Sequence, residues 1–145
     1  MTNAAVIATE PILLHIKPGD IADVWPYIEH FMPSIVERSR GRMTLETLIE
    51  SLVSGRRHLW AVADDKTILA IIGVDVGTSP SGITIATIRF ATGANSNSWV
   101  HLIEELEGHA RAFGCQKMEM WARKGWERKL PDYKLSHVML EKDLD

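Results

Sequence analysis

A loop of small and polar residues carries the clearest chemistry in this sequence. The loop covers residues 92–98, follows a strand-like run at 83–90 and precedes a helical pattern at 99–113. Backbone amides at the positive end of a helix suit a phosphate or pyrophosphate, because the donors and the helix dipole both point towards the anion. Gly93 and Ala94 allow close approach of a ligand, and the Asn and Ser residues that follow add donors. The alternative is an ordinary strand-to-helix connection whose polar residues only cap the helix.

Other groups with reactive side chains favour structural roles. His101, Glu104, Glu105 and His109 lie on the same predicted helix, but they do not form an HExxH arrangement and lack a third ligand from elsewhere, so a solvated charged face is preferred and no metal site is predicted. Cys115 follows the C-terminal end of that helix, where no helix dipole favours a thiolate. We therefore expect this cysteine to be a buried packing residue.

The five tryptophans divide into two groups. Three fall on or beside apolar stripes and are predicted to fill the core: Trp25, Trp60 and Trp99. Trp121 and Trp126 flank the basic residues at 123–124, either as cover over the edge of the core or as a binding lip. The basic residues at 38–42 and 56–57 end two predicted helices, as the helix dipole favours, and they leave an acidic or phosphate-bearing partner open.

Periodicity predicts the elements that must position these residues. Residues 1–9 read as a loosely held lead-in. The predicted strands cover 11–17, 58–63, 67–76, 83–91, 116–122 and 136–144. The predicted helices cover 21–40, divided by Pro26 and Pro33, then 45–53, 99–113 and a short segment at 125–130. The order β-α-α-β-β-β-α-β-(α)-β predicts an α/β domain with a mixed central sheet.

Composition limits the class of protein. A chain of 145 residues, 46% apolar and 24% charged, predicts one globular domain over residues 1–145. A net charge of −3 gives no electropositive footprint for general nucleic-acid binding. One cysteine excludes an intramolecular disulfide. The sequence shows neither a secretory signal nor an apolar run of membrane-spanning length, so a cytoplasmic location is expected.

This element order, from Ile12 to Leu144, resembles the GNAT acetyltransferase superfamily, and the closing stretch 130–144 resembles the family's usual ending. The resemblance implies a divergent, phage- or prophage-like member that transfers an acetyl group from acetyl-coenzyme A to a small-molecule or protein amine. It also implies that the cofactor lies between the fourth and fifth strands, with its pyrophosphate on the loop. A homodimer is compatible with this family. The implied cofactor-binding residues are Phe90, Ala91, Thr92, Gly93, Ala94, Asn95, Ser96, Asn97 and Ser98.

The sequence departs from the family pattern at the positions that carry catalysis. The stretch from Arg89 to Gly93 has one residue more than the family's loop motif. The position of the family's usual Tyr acid falls on Arg128, and Tyr133 is expected to be a packing aromatic. No Glu lies on strand 83–90, where many members keep a base. These departures leave the catalytic residues unassigned. They keep a second hypothesis open: a non-catalytic binding or structural module, such as a virion or host-interaction protein of a phage.

Overall fold

A mixed sheet forms the centre of the computed structural model, which describes residues 10–145. The strands follow one another across the sheet in chain order; the first four are antiparallel and the last is parallel to its neighbour. They are β1 (Ile12–Ile16), β2 (His58–Ala63), β3 (Ile68–Thr78), β4 (Thr84–Gly93) and β5 (Lys117–Met120). The mixed α/β sheet predicted from the sequence is confirmed. The lead-in predicted for residues 1–9 lies outside the described residues.

The helices occupy both faces of this sheet. They are α1 (Ile21–Ile28), α2 (Met32–Arg38), α3 (Leu45–Val53), α4 (Leu102–Ala112) and α5 (Trp126–Lys129). The division predicted for the first helix is confirmed, since Pro26 lies inside α1 and a 3-10 turn separates α1 from α2. Pro33 lies in the first turn of α2, where the missing N–H of proline costs no intrahelical hydrogen bond. Thr44 caps α3, since its hydroxyl accepts a hydrogen bond from the Thr47 amide at 3.1 Å.

Two apolar cores hold these layers together. Helices α1, α2 and α3 pack on one face of the sheet, and α4 packs on the other. The first core includes Ile28, Met32, Leu48, Leu52, Leu59, Ile71 and Phe90. The α4-side core includes Trp60, Val62, Ile72, Ile88, Trp99, Ile103 and Leu106. Trp60 and Trp99 are buried as predicted, whereas Trp25 is only partly buried against the first core.

A bulge in β4 reverses the direction of its side chains. Gly73 of β3 pairs with Phe90, but the next residue, Val74, pairs with Ile88, so Arg89 has no partner on β3. Before the bulge, Ile88 points into the α4-side core; after it, Phe90 points into the opposite core. The extra residue breaks the two-residue alternation, which explains why the sequence pattern of this strand alternates only roughly.

The strand predicted at 136–144 is absent, so the final β of the predicted order was wrong. Residues 134–145 contain no strand or helix. The apolar side chains of this segment do not pack against a core, since Val138 is 74% exposed and Leu140 is 91% exposed. An apolar segment becomes a strand only where it can pair with a neighbouring strand edge and bury an apolar face. The segment instead lies against the loop after α2, where Glu141 pairs with Arg40 and Arg42.

Candidate functional site

The strands β4 and β5 separate partway along β4. Their last registered pair is Ile88 with Met120, and the Trp121 amide then donates to the Ile88 carbonyl at 3.0 Å. Beyond this point β4 continues to Gly93 with β3 as its only neighbour among residues 10–145. The backbone from Arg89 to Gly93 therefore borders a gap on its β5 side. This is the gap in which the family resemblance places the cofactor.

The loop beyond this gap presents free backbone donors. Asn95 adopts the left-handed conformation (φ 55°), and a 3-10 turn covers Ser96–Ser98. Within residues 10–145, the amides of Asn95, Ser96 and Asn97 have no hydrogen-bond acceptor. The Trp99 ring, fully buried, holds the loop in place, because its Nε1–H donates to the Ala94 carbonyl at 3.0 Å. Three adjacent free amides before an eleven-residue helix form a nest suited to an anion.

A cation from α5 lies beside this loop. The Lys129 ammonium donates to the Ser96 hydroxyl, and it also lies 5.3 Å from the centroid of the Trp126 ring. Trp126 in turn packs against Trp99, with ring centroids 6.0 Å apart. The short helix thus brings positive charge to the loop, which no spacing pattern in the sequence indicates. The pairing of Trp126 with Trp99 favours the reading of Trp126 as cover over the core edge.

The structure changes the roles of several predicted loop residues. Phe90, Ala91, Thr92 and Gly93 belong to β4 rather than to the loop. The Phe90 ring and the Thr92 hydroxyl point away from the gap, since Phe90 is in the α1–α3 core and Thr92 lies 3.1 Å from the Ser34 hydroxyl. Such residues can offer a ligand only their backbone groups. Ala94, Asn95, Ser96, Asn97 and Ser98 form the loop and turn.

Gly93 is required by the sheet. A Cβ at this position would come within 2.3 Å of the Leu69 carbonyl oxygen and within 2.6 Å of the Ala70 backbone. The predicted reason for this glycine was close approach of a ligand, but the neighbouring strand alone demands it. Helix α4 also begins at Leu102, three residues later than predicted, because residues 96–101 form tighter turns first. The candidate donors for an anion are consequently the loop amides rather than those of the first α-helical turn.

A polar hollow of about 360 Å³ lies on the sheet face opposite α4. Its floor is a row of three side chains on adjacent strands, because Asp75 of β3 pairs with Thr87 of β4, which pairs with Glu119 of β5. Arg89, the bulge residue, also lines the hollow. Since Arg89 marks the point where β4 and β5 separate, the hollow and the gap meet at this residue. An acceptor in the hollow would therefore reach the gap beside the bulge.

The charge of Asp75 is held by two arginines. Its carboxylate accepts hydrogen bonds from Arg57 Nε at 2.8 Å, Arg57 Nη2 at 3.2 Å and Arg89 Nε at 2.8 Å. Burial opposes ionisation of the Asp75 carboxyl, but the hydrogen bonds and charges of Arg57 and Arg89 outweigh it and lower its pKa. A saturated carboxylate with a lowered pKa is a poor proton acceptor. Asp75 therefore serves to orient Arg89, whose guanidinium lies 4.5 Å from the centroid of the exposed Trp121 ring.

Glu119 is a candidate functional residue that sequence reasoning missed. It lines the hollow from β5, and among residues 10–145 its carboxylate has no hydrogen bond or ion pair. The sequence of β4 contains no Glu that could serve as a base. The registered pair Thr87–Glu119 brings a carboxylate from β5 to the neighbouring position. The alternation of Met118, Glu119 and Met120 was the available signal, since it places Glu119 on the face opposite the core.

The Tyr133 hydroxyl is engaged away from the gap. Tyr133 packs against the α4-side core, and its hydroxyl donates to Glu107 Oε2 at 2.8 Å. Burial, together with the neighbouring Glu107 carboxylate, raises the pKa of the Tyr133 phenol far above its usual value. Tyr27 is an exposed residue of α1. Arg128, at the position of the family's usual acid, is an exposed residue of α5.

The remaining candidates stay outside this site. Within the described part of the chain, no group of three or more His, Cys, Asp or Glu residues is placed to hold a metal ion. Glu104 and Glu105 are exposed on α4, whereas the His109 ring packs on Trp60 with centroids 4.7 Å apart. Cys115 is partly rather than fully buried against the α4-side core, and desolvation raises the pKa of its thiol.

Known acetyltransferase structures share this fold. An aminoglycoside acetyltransferase from an uncultured soil metagenomic sample, solved with sisomicin, superposes with a TM-score of 0.67 at 12% identity over 93% of this chain and 97% of that one. A ribosomal-protein-alanine N-acetyltransferase from Brucella melitensis biovar Abortus 2308 gives 0.63 at 12% identity, over 93% and 98% of the two chains. A putative acetyl transferase from Pyrococcus furiosus gives 0.63 at 18% identity, over 93% and 100%.

Sequence comparison adds nothing to this likeness, because no family model and no curated protein matches the chain. The structural match confirms the fold expected from the element order: the chain has the fold of the GNAT acetyltransferases. Among residues 10–145, no helix combines the length and apolar character needed to cross a membrane.

Proposed function

We propose that this protein transfers an acetyl group from acetyl-coenzyme A to an amine. The observation that carries the proposal is the gap between β4 and β5, which opens at Ile88 and leads to a loop with three free amides. The GNAT fold supports it, since the solved neighbours include acetyltransferases for an aminoglycoside and for a ribosomal protein. Acetyl-coenzyme A supplies an activated acetyl thioester when bound.

The residues present fit such a cofactor. A pyrophosphate is an extended anion that needs several donors, and the amides of Asn95, Ser96 and Asn97 offer them. Lys129 adds a positive charge beside Ser96. The pantetheine arm is amide-rich, and the edge of β4 that borders the gap from Phe90 to Gly93, continued by Ala94 of the loop, offers backbone groups of the kind that a neighbouring strand would use.

The chain's own residues divide the chemical work. The bulge at Arg89 interrupts the pairing of β4 with β3 beside the gap, where an acetyl carbonyl needs a hydrogen-bond donor. Glu119 stands one strand away and holds a carboxylate that can accept the proton of an incoming ammonium. Holding amine and thioester together at this point supplies the proximity that a two-substrate reaction needs.

Calorimetry with coenzyme A tests the proposal. We expect saturable binding of the wild-type protein, and about tenfold weaker binding for Asn97→Asp, since the added carboxylate repels the pyrophosphate at nearly unchanged volume. Gln116→Glu is the matched control. It makes the same amide-to-acid change beside Thr84, at the far end of β4, about 30 Å from the loop by strand length. Absence of any binding heat at about 1 mM coenzyme A would refute the proposal.

A second candidate function is cofactor binding without transfer. It is favoured by the position of Tyr133, whose hydroxyl is bound to Glu107 and so supplies no acid to the gap. A structural or interaction module of this kind would bind coenzyme A alone, or neither coenzyme A nor an amine. In both cases it would release no thiol with any amine. Thiol release in the presence of acetyl-coenzyme A and an acceptor amine distinguishes the two functions.

A further inference from the structure

The charges around the polar hollow limit the acceptor that can enter it. Asp75 is saturated by three hydrogen bonds from Arg57 and Arg89, so its charge is already balanced. Glu119 is the lining carboxylate that has no partner among the described residues. Glu119 can therefore pair with one ammonium group of a ligand, whereas the two arginines already exceed the single charge of Asp75, so the cluster attracts no further cation. An acceptor with several ammonium groups would leave the others uncompensated there.

Arg89 adds a fixed donor for an oxygen atom. Its Nε is bound to Asp75, and its guanidinium lies over the Trp121 ring at 4.5 Å, so two separate contacts hold the group. Its terminal nitrogens have no partner within residues 10–145. A guanidinium held in this way presents N–H groups in a fixed fork, which matches a carboxylate or carbonyl oxygen.

The size of the hollow points in the same direction. About 360 Å³ lies near the lower end of the range for small-molecule sites, which runs from about 300 to 1,000 Å³. A compact group fits this volume. The hollow thus offers one carboxylate, one guanidinium fork and room for a small group.

We propose that the acceptor is a single α-amine next to a carbonyl or carboxylate group, with its ammonium against Glu119 and its oxygen against Arg89. A free amino acid and a peptide N-terminus share this chemistry. The inference rests on the proposed acetyl transfer, and it adds the class of amine. The site differs in this respect from one that binds a polycation such as sisomicin, the ligand in the structure of the soil-metagenome aminoglycoside acetyltransferase.

Glu119 is then a catalytic residue because it touches the amine. The ammonium gives one proton to the Glu119 carboxylate, and the free electron pair of nitrogen attacks the thioester carbon. The new N–C bond forms and the C–S bond breaks. The nitrogen loses its second proton, the thiolate of coenzyme A gains one, and the net reaction releases one proton to solvent.

A panel of amines tests the inference with the wild-type protein and acetyl-coenzyme A. The acceptors are alanine, an alanyl peptide amide, n-propylamine and sisomicin, and the readouts are thiol release and product mass. We expect kcat/KM for alanine or the peptide to exceed that for n-propylamine by about 100-fold, which corresponds to loss of the charge-assisted contact with Arg89. The comparison of alanine with the peptide identifies the source of the α-amine.

Equal rates for n-propylamine, or a preference for sisomicin, would overturn the inference while leaving acetyl transfer intact. Binding of coenzyme A without turnover of any amine would overturn it in favour of the non-catalytic module. Absence of coenzyme A binding would refute the proposed function, and the inference with it.

Two variants separate the roles of the lining residues. Glu119→Gln should lower kcat/KM for every amine by about 10²- to 10⁴-fold, with unchanged affinity for coenzyme A. Arg89→Lys keeps a positive charge beside Asp75 but removes the fork, so it should raise KM for the α-amine more than for n-propylamine. Glu105→Gln, an exposed change on α4, is the control. Wild-type rates for Glu119→Gln would contradict the assignment, and retained coenzyme A binding shows that each variant is folded.

Discussion

Replacing Asp75 by Asn tests the ion-pair cluster that supports the polar hollow. The change keeps the size of the side chain but leaves Arg57 without its counter-ion. Removing one partner of a fully buried pair costs about 3–5 kcal/mol. The side chains of Asp75 and Arg57 are 27% and 15% exposed, so solvent screens part of this loss, and we expect the free energy of unfolding to fall by about 2 kcal/mol. For a chain of this length, Tm should fall by about 8 °C.

Guanidinium unfolding at pH 7, followed by far-UV circular dichroism, measures this effect. Glu50→Gln is the matched control, because it makes the same acid-to-amide change in the exposed pair with Arg56, and we expect it to leave the unfolding midpoint unchanged. If Asp75→Asn lowers the free energy of unfolding by less than about 0.5 kcal/mol, the reasoning is refuted, since the cluster would then contribute no more than a surface ion pair.

The pH dependence of the free energy of unfolding independently tests whether the Asp75 ion pairs stabilise the fold. The pKa of Asp75 is lower in the folded protein than in the unfolded chain, so its ion pairs stabilise the fold above the unfolded-state pKa of about 3.9. That contribution is lost as the pH falls from there through the lowered folded-state pKa. The stability difference between wild type and Asp75→Asn should stay constant from about pH 5 to pH 8 and shrink below about pH 4.

Three further changes test other parts of the structure. Gly73→Ala should lower the free energy of unfolding by about 1–3 kcal/mol, because its Cβ would lie 2.3 Å from the Phe90 ring. Phe90→Leu in the same chain should restore part of this stability. Gly108→Ala is the control and should be neutral or stabilising, because this exposed helix position has no atom within 4 Å of the added Cβ. Equal effects of the two alanines in thermal unfolding would contradict the packing at the bulge. Tyr133→Phe removes one hydrogen bond and should cost about 1 kcal/mol with acetyl transfer unchanged; a tenfold loss of kcat would instead make this phenol part of the site. Truncation after Leu135 should change Tm by less than about 2 °C, since the removed apolar side chains are exposed, and a large decrease would indicate that they are covered in solution.

Local patterns in the sequence predicted most elements of the fold. Helix α3 begins after Thr44 and ends near Gly55 as expected, because capping and apolar spacing act within a few residues. The same holds for β2, which covers His58–Ala63 as predicted. The final strand predicted at 136–144 did not form, although the segment contains the apolar run 138–140. The difference is that β2 pairs on both sides, whereas the final segment meets no strand edge among the described residues.

The candidate site was predictable in part for the same reason. The polar loop at 92–98 stands between a strand and a helix in the sequence itself, so its place near the gap followed from the element order. Glu119 was not predictable, because its role depends on its register with Thr87, a residue 32 positions earlier in the chain. The bulge at Arg89 also depends on how β3 and β4 pair.

The sequence by itself determined the α/β class, the order of most elements and the position of the candidate anion-binding loop, since these follow from periodicity and turn chemistry along the chain. Only the tertiary structure decided which charges meet. The cluster of Asp75, Arg57 and Arg89 and the free carboxylate of Glu119 arise from strand register, which depends on pairing between distant segments and on the one extra residue in β4.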